Sequence, residues 1–268
     1  MSEYMLELID VHKVFNKGTI NEKTALCGLS LKLNAGDFVT IIGGNGAGKF
    51  TMLNAIAGVW PINQGQILID GIDVTSLSEF KRAPYLGRVF QDPMNGTAST
   101  MSIEENLAIA ARRGKKRGLK WGVTKAEREH YVEKLAKLDL GLEDRLTTKV
   151  GLLSGGQRQA ITLLMASLKK PDLLLLDEHT AALDPKTAAK VLALSDTIIE
   201  ENGLTALMVT HNMKDAIAHG NRLIMMHEGN VIYDVSGEEK KALHVSDLLK
   251  KFEEVSGGEF ANDRMMLS

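Results

Sequence analysis

The chain has 268 residues, enough for one large domain or two modest ones with a buried core. Apolar residues make up 44% and charged residues 25%, a balance that excludes a disordered or fibrous chain. Lys and Arg number 32 against 34 Asp and Glu, and the formal charge of −2 argues against a nucleic-acid partner.

The N-terminal run Met1-Ser2-Glu3-Tyr4-Met5 has no basic patch followed by an apolar stretch, so no signal peptide is expected. No apolar run approaches the roughly 18 residues that span a bilayer. A soluble, cytoplasmic chain follows, one that reaches any membrane through a partner. Residues 6–15 and 29–33 alternate like half-buried strands. Between them the single cysteine, Cys27, has no partner for a disulfide and reads as a small buried hydrophobe beside Leu26 and Leu29. Ala35-Gly36-Asp37 turns the chain into Phe38-Val39-Thr40-Ile41-Ile42, the short apolar run of a buried parallel strand. A glycine-rich loop follows, then a helix over 52–57 that stops at Gly58. Gly65 to Val74 reads as a hairpin turning at Asp70-Gly71.

From Thr100 to about Lys149 apolar residues recur at helical spacing, which predicts a helical insertion between sheet elements. Its basic run, residues 112–117, could touch RNA or lipid headgroups, but reads better as a solvated loop. Leu173 to Leu176 and Leu204 to Val209 are buried strands by pattern. The helix between them has clear punctuation: Asp184 as cap, Pro185 in the first turn, Gly203 as stop. Strand, helix, strand in that order predicts a right-handed crossover in a parallel sheet. Two strand-like stretches after Arg222, a helix near 243–255 and a polar tail complete the chain.

Three groups of residues carry chemistry. Gly43-Gly44-Asn45-Gly46-Ala47-Gly48-Lys49-Phe50-Thr51 lies between a buried strand and a helix, the setting of a phosphate-binding loop. Glycines let successive N–H groups point at phosphate oxygens, the helix adds its positive end, and Lys49 supplies a charge for the β and γ phosphates. Asp177-Glu178 ends a buried strand. The first carboxylate can hold hydrated Mg²⁺ and the second can orient or deprotonate an attacking water. Ser154-Gly155-Gly156-Gln157 opens an apolar helix with capping-box spacing and makes a second anion site. Two such sites about 100 residues apart are hard to fill with one nucleotide held by a monomer. His211 and His219 suggest a metal pair but lack a third ligand, so that reading is rejected.

Leu153 to Gln157 is similar to the signature of the ATP-binding cassette family, and the resemblance runs over nearly the whole chain. Phe15 matches the family's adenine-stacking aromatic. Gln91 matches the glutamine that senses nucleotide and joins the core to the helical subdomain. Ala182-Leu183-Asp184 matches the loop that crosses the dimer interface, and His211 the histidine that contacts the γ-phosphate. The resemblance implies an α/β fold: a P-loop NTPase core with a parallel sheet, an N-terminal antiparallel β subdomain and an α-helical subdomain at about 92–155. Residues 1–255 would form one nucleotide-binding domain and 256–268 a polar tail.

The same resemblance implies a head-to-tail homodimer, with ATP and Mg²⁺ between one chain's phosphate loop and the partner's Ser154-Gly155-Gly156. Glu178, His211 and Gln91 would be catalytic, and Gln91 and Asp177 would serve the metal. The family's stand-alone cassettes imply the ATPase subunit of an importer, and Asp177-Glu178-His179-Thr180 is similar to importers paired with branched-chain-amino-acid-type permeases, which implies a small solute such as an amino acid. Its partners would be integral membrane permease subunits and, indirectly, an extracytoplasmic solute-binding protein, and it would sit at the inner face of the membrane.

The chain departs from the family twice. His179 stands where many relatives carry proline. Phe50 stands where a Ser or Thr ligates Mg²⁺, and its ring is expected to occupy the space of a metal-bound water. Phe50 keeps open an alternative, a regulatory subunit impaired in hydrolysis. A non-transport cassette protein is disfavoured, because the chain has one motif set and no sustained heptads.

Overall fold

The computed structural model describes residues 3–115 and 122–256. In chain order, β1 (Leu6–Phe15) and β2 (Lys23–Leu33) pair antiparallel, with Leu6 opposite Leu33 and Phe15 opposite Lys23. The buried strand β3 (Phe38–Ile42) leads into α1 (Lys49–Ala57). Then come β4 (Gln64–Ile69), β5 (Ile72–Asp73), the short α2 (Glu79–Arg82) and β6 (Leu86–Val89). The β4–β5 hairpin turns at Asp70 and Gly71, both at positive φ (46° and 73°), the pair a type I′ turn requires.

The helical insertion consists of α3 (Ile103–Ala111) and α4 (Lys125–Ala136), each opened by a capping box. Glu104–Arg128 (2.7 Å) and Arg112–Glu127 (3.0 Å) tie the two together. α5 (Gly155–Ser167), β7 (Leu173–Asp177), α6 (Pro185–Asn202), β8 (Thr205–Val209) and α7 (Met213–Ala218) follow. β9 (Arg222–His227), β10 (Asn230–Ser236), α8 (Gly237–Lys241) and α9 (Val245–Ser256) end the described chain.

Two sheets result. The smaller runs β2-β1-β4-β5 and is antiparallel; the larger runs β10-β9-β3-β8-β7-β6 and is parallel except at β9–β10. Alternation along β7 builds the core on both faces. Leu173 and Leu175 pack toward α1 and the small sheet, Leu174 and Leu176 toward α3, α5 and α6. A third cluster seats Leu248 and Phe252 of α9 on Leu223, Met225 and Ile42.

One local expectation fails and another holds only in part. Cys27 is exposed, not buried. A bulge with Gly28 at φ 74° places two residues between inward Leu26 and Leu29, and the extra one turns Cys27 outward. The basic run is solvated only in part where it is described: Gly114 and Lys115 are exposed, but Arg112 pairs with Glu127, and half-buried Arg113 donates to Ala166 O in α5 and to Lys169 O just beyond it. Lys116 and Arg117 lie outside the described residues, as does the tail after 256.

Candidate active site

The phosphate-type loop lies at the carboxyl end of β3, with α1 beginning at Lys49. Gly48 holds φ 100°, and a Cβ there would stand 2.7 Å from Ala25 O; one on Gly43 would stand 2.4 Å from Met226 O. The backbone alone fits in both places. α1 has no side-chain cap and no acidic residue in its first turn, so its N-terminal N–H groups and dipole face outward uncompensated by this chain's side chains. Lys49 is 6% exposed, and its Nζ donates to Gly43 O (2.5 Å) and Gly44 O (3.1 Å), curling over the loop. Asn45 and Gly46 form the exposed lip, and Gly229 N donates to Ala47 O from the opposite wall.

A cavity of about 360 Å³ sits on this loop. Residues 45–51 line it together with Phe15, Lys23, Ala25, Glu178 and His211. Sequence reasoning missed its aromatic hinge, Trp60. The Phe15 ring meets Trp60 edge-on at 5.0 Å, and the Phe50 ring meets it edge-on at 5.4 Å. Phe50, 52% exposed, thus leans onto Trp60 while still lining the cavity. Lys13 Nζ stands 4.9 Å over the Phe15 ring and donates to Pro61 O, fixing the platform from behind.

At the other end of the cavity Glu178 Oε1 is 2.5 Å from His211 Nε2. Glu178 has φ 45°, and its N–H donates to Val209 O, so its side chain leaves the end of β7 in a fixed direction. Asp177, 5% exposed, has its carboxyl pushed up by burial, while Arg88 at 3.6 Å pulls it down. Burial in turn lowers the Arg88 guanidinium, and Asp177 opposes that shift. The Arg88 group also donates to Asn54 Oδ1 (3.0 Å) and lies 4.6 Å over the Phe90 ring; Asn54 Nδ2 donates to Phe50 O. Gln91 is exposed and outside the cavity, and Gln159 holds the preceding residue by donating to Phe90 O.

The Ser154 and Asp184 groups do not meet the phosphate loop within this chain. Ser154 caps α5, its Oγ accepting from Gln157 N and its N–H donating to Gln157 Oε1, both at 3.3 Å. Asp184 caps α6, accepting from Thr187 N (3.1 Å), and the Thr187 hydrogen bonds hold its carboxyl below the usual range. A Cβ on Gly156 would stand 2.2 Å from Thr187 Cγ2 and one on Gly155 3.3 Å from Leu183, so the two helix starts pack together. Neither they nor Asp177 line the cavity over Lys49.

His179 has a structural partner that its sequence position hides. It is buried and meets Ser195 Oγ at 2.9 Å. Ser195 gives its own proton to Val191 O, so His179 donates through Nε2. Burial, and then the charge of His219, lowers it to about 4. His219 itself pairs with Asp196 at 2.7 Å and His211 with Glu178. Among the described residues no helix is long and apolar enough to cross a membrane.

The glycine cradle, the buried lysine and the uncapped helix start fit a nucleotide's phosphates. For a metal, Asp177 and Gln91 carry the oxygens expected of them, and Phe50 offers none.

The family described as ABC transporter matches residues 26–181. The chain is 45% identical over 251 residues to the tyrosine transport ATP-binding protein of Clostridioides difficile (strain R20291), covering 93% of this chain and 99% of that one. It is 36% identical over 234 residues to the methionine import ATP-binding protein MetN of Rhizobium johnstonii, covering 86% of this chain and 60% of the relative's length. The dimeric ATP-binding cassette MJ0796, in a post-hydrolysis state bound to ADP and Pi, matches at a TM-score of 0.74 and 31% identity over 87% of this chain and 98% of that one. The chain belongs to the ABC transporter family, as an ATP-binding subunit that hydrolyses ATP.

Proposed function

We propose that this ATPase subunit drives import of a small solute, an amino acid first among them, through integral membrane permease subunits at the inner face of the membrane. Two copies close head to tail on ATP. The observation that carries this reading is the separation, within one chain, of the Lys49 loop from the Ser154 and Asp184 helix starts. A second copy turned end for end brings one chain's Ser154-Gly155-Gly156-Gln157 to the other's nucleotide. The likeness to a tyrosine transport subunit over 99% of that protein's length supports the cargo class.

In this reading Phe15 stacks on adenine, while Gly43, Asn45, Gly46, Ala47, Gly48, Lys49 and Thr51 hold the phosphates through backbone N–H groups and the lysine. Glu178 orients the attacking water and takes its proton, and the paired His211 contacts the γ-phosphate. Gln91 and Asp177 would hold Mg²⁺, which when bound neutralises charge on the phosphates. An extracytoplasmic solute-binding protein delivers cargo to the permease and does not touch this chain. Phe50 favours a second reading, a subunit that binds nucleotide and turns it over slowly.

Uptake of labelled tyrosine and methionine tests the proposal, in cells lacking this subunit and complemented with the wild-type chain or Glu178→Gln. ATP-dependent uptake restored only by the wild type supports import. Uptake indifferent to both counts against it.

A further inference from the structure

Lys23 lines the cavity over the phosphate-type loop, yet neither the sequence motifs nor the proposed chemistry gives it a part. It is the first residue of β2 and stands on the rung opposite Phe15, so the two side chains leave the sheet on one face. Its Nζ reaches from that rung to the loop and lies 3.8 Å from the point that a Cβ on Gly46 would occupy. The residue is exposed, and its side chain makes no hydrogen bond or ion pair with the described residues. The carboxylate next to it in the chain is turned away: Glu22 Oε2 accepts from Gly18 N (2.6 Å) inside the β1–β2 loop.

An exposed lysine at a strand end is ordinarily only solvated. Lys23 differs in where its ammonium group stands and in what it adds there. The charged residues that line the cavity are Lys23, Lys49 and Glu178, with His211 held against Glu178. With Lys23 two cations face one anion. Without it Lys49 and Glu178 cancel, and the lining offers a polyphosphate no net attraction. The backbone N–H groups of a phosphate loop cradle the α and β phosphates, so a charge over Gly46 acts on that part of the chain. We propose that Lys23 is a second phosphate-binding lysine, gripping the part of the phosphate chain that ATP and ADP share. This rests on the nucleotide site described above and adds a binding residue to it.

The experiment measures the affinity of the full chain for the non-hydrolysable nucleotide AMP-PNP and for ADP, both with MgCl₂, by titration calorimetry. Lys23→Met is expected to weaken both by at least about fivefold, and by factors that agree within about threefold, because the contact lies on phosphates common to the two. Lys23→Arg keeps the charge and is expected to stay within about threefold of the wild type for both. The side chain is exposed and has no partner to lose among the described residues, so these substitutions leave the fold intact.

A Lys23→Met protein that loses less than about fivefold for either nucleotide overturns the proposal, and so does a loss confined to AMP-PNP. Lys23→Arg outside the threefold band overturns it as well, since charge would then not be what counts. Lys49→Ala separates this failure from that of the site. Binding abolished by Lys49→Ala and untouched by Lys23→Met would strike Lys23 alone, whereas a wild type that binds neither nucleotide would strike the nucleotide site and the proposal with it.

Discussion

His211 Nε2 and Glu178 Oε1 stand 2.5 Å apart at the rim of the cavity that covers Lys49. The pair joins the ends of two adjacent parallel strands, and Asp177 pairs with Val209 in the same register. Substituting Glu178→Gln keeps the side chain's length and a hydrogen-bonding group toward His211, and removes the base. The variant is expected to hold ATP without turning it over and to shift toward dimers, because ligand that binds only the closed pair stabilises it. Sedimentation with and without Mg-ATP checks this. A strictly monomeric Glu178→Gln protein at saturating ATP would sink the head-to-tail reading.

Phe50→Ser places a hydroxyl at the start of α1 and removes the ring from Trp60. The restored ligand stabilises charge that develops during phosphoryl transfer, so Mg-dependent ATPase activity is expected to rise at least about tenfold. Equal rates for the two proteins at saturating Mg-ATP would mean that the missing oxygen is immaterial.

Gln91 is exposed and lies outside the cavity, on a stretch anchored by the Gln159 to Phe90 hydrogen bond. Gln91→Ala is therefore expected to leave nucleotide affinity within about twofold of wild type while uncoupling ATP turnover from transport in reconstituted vesicles. A collapse of affinity would place Gln91 among the binding groups.

Burial holds His179 at about 4, below its ordinary 6.5, so the folded ring is neutral where the unfolded one is charged. Its contribution is complete above pH 6.5 and is lost as pH falls from there toward 4, at about 1.4 kcal/mol per pH unit. Between pH 7 and pH 5 the wild type should lose about 2 kcal/mol more stability than His179→Gln in urea unfolding. Identical losses would show that this histidine is not the neutral, buried group bonded to Ser195.

What the sequence made legible is what is encoded over a few residues. The spacing of Ser154 and Gln157 marks a helix start, Asp184-Pro185 and Gly203 bracket another helix, and Asp70-Gly71 sets a turn; each is a local rule that the backbone obeys. The glycines of the phosphate-type loop belong with these, since their constraint is a positive φ or a close backbone contact. The contacts that were not legible join residues far apart in the chain. Trp60 between Phe15 and Phe50, Arg88 on Asp177, and His179 on Ser195 each depend on which strands and helices become neighbours. Cys27 was misread for a different reason: one bulged residue reverses the side to which every later side chain points.

Both residues expected to reach across to a second copy, Ser154 and Asp184, are the N-caps of long helices. Ser154 Oγ and Asp184 Oδ1 each accept from an N–H of their own helix, so neither side chain can swing freely without fraying the first turn behind it. Contact between two chains would therefore be made by rigid rods meeting end-on, not by loose fingers. A tilt of α5 or α6 would displace the touching atoms in full, with no soft joint to absorb it.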